Sequence, residues 1–287
     1  MNFVSTDQLY QDMAAWERQI PEFDAVCGVP RSGLIPAAYI ALRRNLRMVP
    51  LNELLQNPDG VIERSPLRDV NPVMWYKKPH GNRLLIVDDS TSAASVTFKE
   101  LRRRLAHQTT LEIHYGAVYR ATPSSQVDHF YREVPMPRLF GWNWHRHWQL
   151  QHAMCDMDGV LCEDWKRRPE QNDDPEFVRH VHEAKPLYIP GVPLRAIVTS
   201  RIERYRSGTE DWLKRHGVQY RQLIMHPAAT PERRRAMNDH AERKAAAYAQ
   251  DVGASLFVES DARQAAQIFD ITRAPVLCTD TMTMLKP

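Results

Sequence analysis

Long apolar runs are missing from this 287-residue chain. None approaches the roughly 20 residues a membrane-crossing helix needs, so no membrane role is expected. Cysteine is scarce as well. Cys27, Cys155, Cys162 and Cys278 are scattered without a Cys-x-x-Cys pair, which argues against a zinc ribbon or a disulfide framework. Cys27 and Cys155 sit in apolar runs, where a free thiol behaves as a small hydrophobe. Net charge is slight, with 38 Lys+Arg against 35 Asp+Glu, and gives no strong reason to expect nucleic acid or a charged membrane surface as partner. Met1 to Trp16 lacks both the basic start and the long apolar core of a signal peptide. Internal repeats and low-complexity tracts are absent. The expectation is a reduced, soluble, cytoplasmic protein. Its 43% apolar and 25% charged residues suit ordinary cores, and its length suits two domains.

Short apolar runs alternate with helical patterns, which predicts an α/β protein with mostly parallel sheets. The first half offers strands at Ala25–Val29, Leu84–Val87 and Ile113–Val118, with helices at Leu34–Arg44 and Val96–Leu105. In the second half strands are expected at His152–Cys155, Ala196–Val198, Leu256–Val258 and Val276–Cys278, and a helix from about Thr209 to His216 that stops at Gly217. The segment from Asp59 to Asn82 is rich in proline and charge and without period, as functional lids often are. An aromatic and basic run from Pro135 to His152 precedes the expected boundary near Leu150, giving domains 1–150 and 151–287.

Two acidic motifs stand out, one in each half. In Leu84-Leu85-Ile86-Val87-Asp88-Asp89-Ser90-Thr91-Ser92-Ala93-Ala94-Ser95 a strand delivers two carboxylates into a turn of small, hydroxyl-rich residues before a helix. Backbone N–H groups of such a turn, with the positive end of the helix, make an anion cradle. Ser92 and Ser95 can add hydroxyl donors. Asp88 and Asp89 suit ribose hydroxyls or a hydrated Mg²⁺ better than phosphate itself.

This motif resembles the 5-phosphoribosyl-1-pyrophosphate (PRPP) signature of type I phosphoribosyltransferases. Val26-Cys27-Gly28-Val29-Pro30-Arg31-Ser32-Gly33-Leu34-Ile35-Pro36-Ala37 resembles that family's pyrophosphate loop, and together they cover roughly residues 20 to 120. The resemblance implies that Asp88 and Asp89 bind the ribose hydroxyls. Ser90, Thr91, Ser92, Ala93, Ala94 and Ser95 would hold the 5-phosphate, and Arg31, Ser32 and Gly33 the pyrophosphate. It also implies a lid over Asp59–Asn82, with Lys77, Lys78 and Arg83 as candidates to neutralise the leaving group, or as solvated charges. Trp142 and Trp144 would stack on the base, or else anchor a domain interface. A homodimer is implied on the same ground. Two departures are present: family members usually carry glycine where Ala94 stands, and 6-oxopurine relatives carry an aspartate where this chain has Ser92. The loop is thus closer to the orotate or adenine pattern. His145, His147 and His152 could be metal ligands, though no spacing fixes their geometry.

In the second motif, Ala153-Met154-Cys155-Asp156-Met157-Asp158-Gly159, two carboxylates alternate after a buried strand. An aspartate can attack phosphorus to give an acyl phosphate, and an acid two residues on can protonate the leaving oxygen. Downstream, Thr199 and Ser200 end a strand in phosphate-holding hydroxyls, Lys244 offers a cation, and Glu259 and Asp261 end another strand in acids fit for Mg²⁺. The order resembles the haloacid-dehalogenase superfamily over roughly residues 152 to 280. By that resemblance Asp156 is the nucleophile, Asp158 the acid/base, Thr199 the phosphate-binding hydroxyl and Lys244 the neutralising cation. Asp156, the Met157 carbonyl, Glu259 and Asp261 would form the metal site, with Asp158 beside them, in a Rossmann-like domain with minimal cap.

A transferase that makes a 5′-phosphomonoester beside a phosphatase that consumes one predicts sequential action. PRPP and a nucleobase-like acceptor would give a nucleotide, which is then dephosphorylated to a nucleoside. The alternatives are a PRPP- or nucleotide-sensing regulator with a silent transferase domain, or a chain active only as a phosphatase.

Overall fold

The computed structural model describes residues 1–62, 81–165 and 173–287, and residues 63–80 and 166–172 lie outside that description. The chain forms two compact units: Asn2 with Thr6–Arg138, and Met1 with Phe3–Ser5 and Leu139–Pro287. The division falls between Arg138 and Leu139, ahead of the boundary expected near Leu150.

A short strand β1 (Asn2–Val4) and helix α1 (Thr6–Glu17) open the chain. The amino-terminal unit continues with β2 (Ala25–Gly28), α2 (Leu34–Arg44), β3 (Arg47–Val49), α3 (Leu51–Gln56), β4 (Arg83–Thr91), α4 (Thr97–Leu105), β5 (Glu112–Arg120) and β6 (His129–Glu133). Its five-stranded sheet runs β3-β2-β4-β5-β6, every pair parallel. Helices cover both faces, as parallel strands without an alternating polar face require. Leu84 and Ile86 of β4 share a core with Phe98, Leu101 and Leu105 of α4, the apolar stripe of an amphipathic helix. Arg102, Arg103 and Arg104 face outward, paired with Asp128 and Glu100, in line with the solvated face expected there. On α1, Leu9, Met13 and Trp16 are buried at helical spacing. A buried ionic knot ties α1 to the sheet: Asp12 accepts from Tyr119 Oη at 2.7 Å and from Arg132 Nε at 2.8 Å.

Strand β7 (Arg138–Phe140) pairs with β1 in a two-stranded sheet. The carboxy-terminal unit then builds β8 (Ala153–Cys155), α5 (Asp173–Glu183), β9 (Ala196–Ile202), α6 (Arg206–Arg215), β10 (Leu223–His226), α7 (Pro231–Met237), α8 (His240–Gln250), β11 (Leu256–Glu259), α9 (Ala262–Thr272), β12 (Val276–Cys278) and β13 (Thr283–Leu285). The sheet order is β10-β9-β8-β11-β12-β13, parallel except for antiparallel β13. Alternate residues feed opposite cores. Cys155, Ile197, Val258 and Leu277 join Val181, Trp212 and Leu213 of α5 and α6. Met154, Ala196, Phe257 and Val276 join Ala241, Ala245, Ala265 and Ile268 of α8 and α9. The period of two along each strand makes this division automatic.

The expected strands are present, with β4 running four residues further than its apolar core. Asp88, Asp89, Ser90 and Thr91 are part of the strand, Asp88 facing Ala117 and Thr91 facing Arg120 in the β5 ladder. Small polar residues continue a strand when a neighbour supplies the ladder, which apolar patterning cannot reveal. The four cysteines are buried and free, and burial raises the Cys27 thiol to about 12.

Candidate functional site

Each sheet has one place where connections leave in opposite directions, and there the carboxyl ends of adjacent strands open a crevice that ligands use. In the amino-terminal unit that place lies between β2 and β4, and in the other unit between β8 and β11. The two acidic motifs stand at these places.

At the first, Gly28 is in register with Val87, and Val29 N–H donates to the Val87 carbonyl at 2.9 Å. The chain turns through Arg31–Gly33 into α2. A Cβ on Gly33 would lie 2.5 Å from the Val29 oxygen, 2.7 Å from the Val87 oxygen and 2.9 Å from Asp88 Cα. Only glycine permits this approach, which brings the 30–33 loop against Asp88. Arg31 is exposed and Ser32 half-exposed at the mouth. Asp89 is 3% exposed. Burial, and then the charge of Asp89, push the Asp88 carboxyl up to about 8. Ser92 to Val96 form the turn ahead of α4, closed by Ser95 N–H donating to the Ser92 carbonyl at 3.0 Å. Among the described residues, the non-glycine positions with positive φ are Asn45, His107, Asn238, Arg273 and Met282. Ala94 is not one of them, so its Cβ meets no left-handed backbone.

Arg83 and Trp144 take other places than their expected roles need. Arg83 opens β4 at its amino end, five residues before Asp88 and thus about 16 Å away along the strand. There it donates to the Glu22 carbonyl at 2.8 Å and pairs with Glu112 at 3.2 Å, so it is not poised for a leaving group at the crevice. Lys77 and Lys78 lie outside the described residues. Trp144 is 3% exposed within the core of the carboxy-terminal unit, 4.9 Å from the Tyr188 ring, and has no face open for a base. Trp142 stacks on Phe140 at 4.7 Å. His145, His147 and His152 form no shared metal cluster among the described residues. One residue without an assigned role is notable: Arg138, 6% exposed, donates to the Thr91 carbonyl at 3.0 Å behind the motif strand. Burial lowers its pKa, against the raising influence of Asp89.

The second crevice is better furnished. Asp156 follows β8 directly, and its N–H donates to the Val258 carbonyl at 2.9 Å. Lys244 reaches in from α8. Its Nζ donates to Asp156 Oδ2 at 2.7 Å, Glu259 Oε2 at 2.6 Å and Gln264 Oε1 at 3.0 Å. Burial opposes the charge on Lys244, but the two carboxylates outweigh it and raise the ammonium pKa. Burial raises Asp156, offset in part by Lys244. Burial, and then the charge of Asp156, lift Glu259 to about 7. Two buried carboxyl groups therefore face one ammonium.

Gly159, with φ of +83°, holds the turn after Asp158 in a conformation few other residues adopt, and a Cβ there would run into Ser260 Oγ. Asp158 is clamped. Arg201 Nε donates to its Oδ2 at 2.9 Å and Arg201 Nη2 to its Oδ1 at 2.6 Å, while His180 Nε2 lies 3.0 Å from Oδ1. Burial acts upward on Asp158, but Arg201 and His180 prevail and hold it well below the usual carboxylate range. The pairing with Arg201 favours the ionised form, so proton donation from Asp158 requires that pairing to loosen.

The metal set also differs from expectation. Among the described residues no three of Asp156, Asp158, Glu259 and Asp261 bring ligand atoms within 4.8 Å of one another; the group that does so is Asp158, Cys162 and His180, with Arg201 already on Asp158. The Met157 carbonyl is taken by Leu161 N–H at 2.9 Å and Cys162 N–H at 3.2 Å. Glu259 Oε1 accepts from Ser260 N–H at 2.9 Å while Oε2 takes Lys244. Asp261 Oδ1 caps α9 through Arg263 and Gln264 N–H at 2.8 and 2.9 Å. Among the acids expected to bind metal, Asp156 and Asp261 both line the cavity over this crevice, and one or two protein carboxylates are what Mg²⁺ usually takes from a protein.

The cavity over Asp156 measures about 340 Å³. Asp158, Ser200, Arg201, Lys244, Glu259 and Asp261 line it. Thr199 is 5% exposed, and its hydroxyl accepts the Arg201 N–H at 3.1 Å; Ser200, bonded to His240 at 2.9 Å, faces the cavity. Sequence reasoning passed over Arg201 and His180. The signal available for Arg201 was its place two residues after Thr199 on the same strand; for His180 there was none, because α5 lies far from the motif in sequence.

No protein-family model matches the chain. Among solved structures it is similar to a xanthine-guanine-hypoxanthine phosphoribosyltransferase from Helicobacter pylori, at 14% identity and a TM-score of 0.35, covering 49% of this chain and 92% of that one. A purine phosphoribosyltransferase from Pyrococcus horikoshii Ot3 matches at 17% identity and a TM-score of 0.34, over 49% of this chain and 92% of that one. A hypothetical protein from Neisseria gonorrhoeae with bound ppGpp matches at 13% identity and a TM-score of 0.33, over 50% and 89%. These likenesses cover about half of the chain, and superposition at this level establishes no function.

Proposed function

We propose that the chain is a two-site enzyme. The amino-terminal unit would bind PRPP and transfer its phosphoribosyl group to a nucleobase-like acceptor, releasing pyrophosphate. The carboxy-terminal unit would then hydrolyse the 5′-phosphate to leave a nucleoside. The observation that carries the reading is the placement of an aspartate pair at the carboxyl end of strands in each sheet, where its connections diverge, with a turn of small hydroxyl residues or a buried cation beside it.

At the first site the turn from Ser92 to Ser95 receives the 5-phosphate. Asp88 and Asp89 orient the ribose hydroxyls, and the loop at Arg31, Ser32 and Gly33 holds the pyrophosphate as it departs. Attack by the acceptor nitrogen on the ribose C1 breaks the bond to pyrophosphate. At the second site an Asp156 carboxylate oxygen attacks phosphorus, the ester P–O bond breaks, and water then cleaves the acyl phosphate to release inorganic phosphate and restore Asp156. Lys244 favours the ionised form of Asp156 against burial, and Glu259 fixes Lys244 from the other side. Ser200 and Thr199 supply hydroxyls near the phosphate. Asp158 can give the leaving oxygen its proton only after Arg201 releases it. Mg²⁺, when bound, screens the approach of a carboxylate to an anionic phosphate.

Two variants test the division of labour. Asp88→Asn should abolish pyrophosphate release from PRPP while phosphomonoester hydrolysis continues, and Asp156→Asn should do the reverse. Retention of both activities in either variant contradicts the assignment. A protein that binds PRPP tightly yet releases no pyrophosphate with any base would instead be a sensor.

A further inference from the structure

The cavity over Asp156 is larger than a phosphate requires, and at about 340 Å³ it lies in the range that encloses an organic ligand. Part of its lining is aromatic. Trp165, from the loop after Asp158, meets Phe177 of α5 edge-on at 5.6 Å, and Phe177 meets Tyr205, after β9, at 4.9 Å and 72°. All three line the cavity beside Asp158 and Arg201. Trp165 and Phe177 are only half-buried, so ring surface remains at the opening. Tyr205 is buried in the core and backs Phe177, while Trp165 and Phe177 keep ring surface toward the charged site. Aromatic side chains next to bound phosphate provide stacking surface for a flat ring, and every nucleobase has such a face.

We propose that Trp165 and Phe177, with Tyr205 packed behind Phe177, are the specificity-determining residues of this site and select phosphomonoesters whose leaving group carries a nucleobase over bare sugar phosphates. The inference rests on the phosphatase reading above and adds to it the residues that recognise the base. The reaction is nucleoside monophosphate plus water to nucleoside plus inorganic phosphate. The P–O ester bond breaks, the nucleoside oxygen takes a proton, and water supplies the oxygen that returns to phosphate.

The test compares the four nucleoside 5′-monophosphates with ribose 5-phosphate as substrates of the full chain in Mg²⁺. The unmodified protein, Trp165→Ala, Trp165→Phe and Asp156→Asn are assayed side by side. We expect at least one nucleotide to be preferred in kcat/KM over ribose 5-phosphate. Trp165→Ala should raise the nucleotide KM by about tenfold, within the range expected for one base–aromatic stack. It should leave ribose 5-phosphate within about twofold, and Trp165→Phe should recover most of the loss. Equal kcat/KM for the two substrate types, or an equal loss on both in Trp165→Ala, overturns the substrate inference while leaving the phosphatase intact. Absence of hydrolysis by the unmodified protein, or full hydrolysis by Asp156→Asn, overturns the phosphatase reading and the inference with it.

Discussion

Replacing Lys244 with methionine removes the one ammonium that stands between two buried carboxylates. The side chains of Lys244, Asp156 and Glu259 are 4%, 10% and 1% exposed, so water cannot take over its role. Removing one partner of a buried ion pair typically costs about 3–5 kcal/mol, because the other partner is left charged and unsolvated. The pH dependence has a definite sign. Glu259 has its pKa raised from 4.5 to about 7 even with Lys244 present. Its folded form therefore holds a proton more tightly than the unfolded chain across that window. Its contribution to stability falls as pH rises from 4.5 to 7, a penalty of roughly 3 kcal/mol when complete. Without Lys244 both carboxylates rise further, so the variant should lose most at pH 8 and little at pH 5.5, where they can protonate. Calorimetry in EDTA at the two pH values measures this. A 3–5 kcal/mol loss in a unit of this size corresponds to a fall in Tm of roughly 10 °C at pH 8. A loss below about 1 kcal/mol at pH 8, or the same loss at both pH values, would refute the buried-cluster argument.

Other expectations follow from the same geometry. Gly33→Ala drives a Cβ into the Val29 and Val87 backbone oxygens, and should cost about 1–3 kcal/mol and weaken PRPP binding in titration calorimetry. Asp12→Ala strips Tyr119 and Arg132 of their buried acceptor, with a loss of about 1–3 kcal/mol in urea unfolding and no direct effect on phosphomonoester hydrolysis. Chelation of Mg²⁺ should stop phosphomonoester hydrolysis and lower the Tm of the unmodified protein, whereas Lys244→Met in chelator should show no further drop on that account.

The strands were legible because each is a short apolar run, and Val276–Cys278 and helix Leu34–Arg44 fall where the pattern puts them. Polar ends were not, since the β4 extension through Thr91 depends on the β5 ladder rather than on its own side chains. Lys244 was singled out from a basic stretch by order along the chain, yet only the fold explains why it, and not the neighbouring Arg243, turns inward: α8 buries Ala241, Lys244, Ala245 and Tyr248 on one stripe. Trp144 misled because an aromatic residue in a basic run carries no mark of which core it will enter. The partners of Asp158 were not legible, since Arg201 and His180 are both distant in sequence. Motif residues identify the reacting groups, and the groups that tune them come from wherever the fold brings them.

The most direct test of the two-step account is product analysis by mass spectrometry after incubating the full chain with Mg²⁺, PRPP and a panel of nucleobases. The account predicts pyrophosphate, inorganic phosphate and a nucleoside from the unmodified protein, and an accumulated nucleotide in place of the nucleoside from Asp156→Asn. PRPP left unconsumed with every base, or nucleoside still formed at the normal rate by Asp156→Asn, would contradict it.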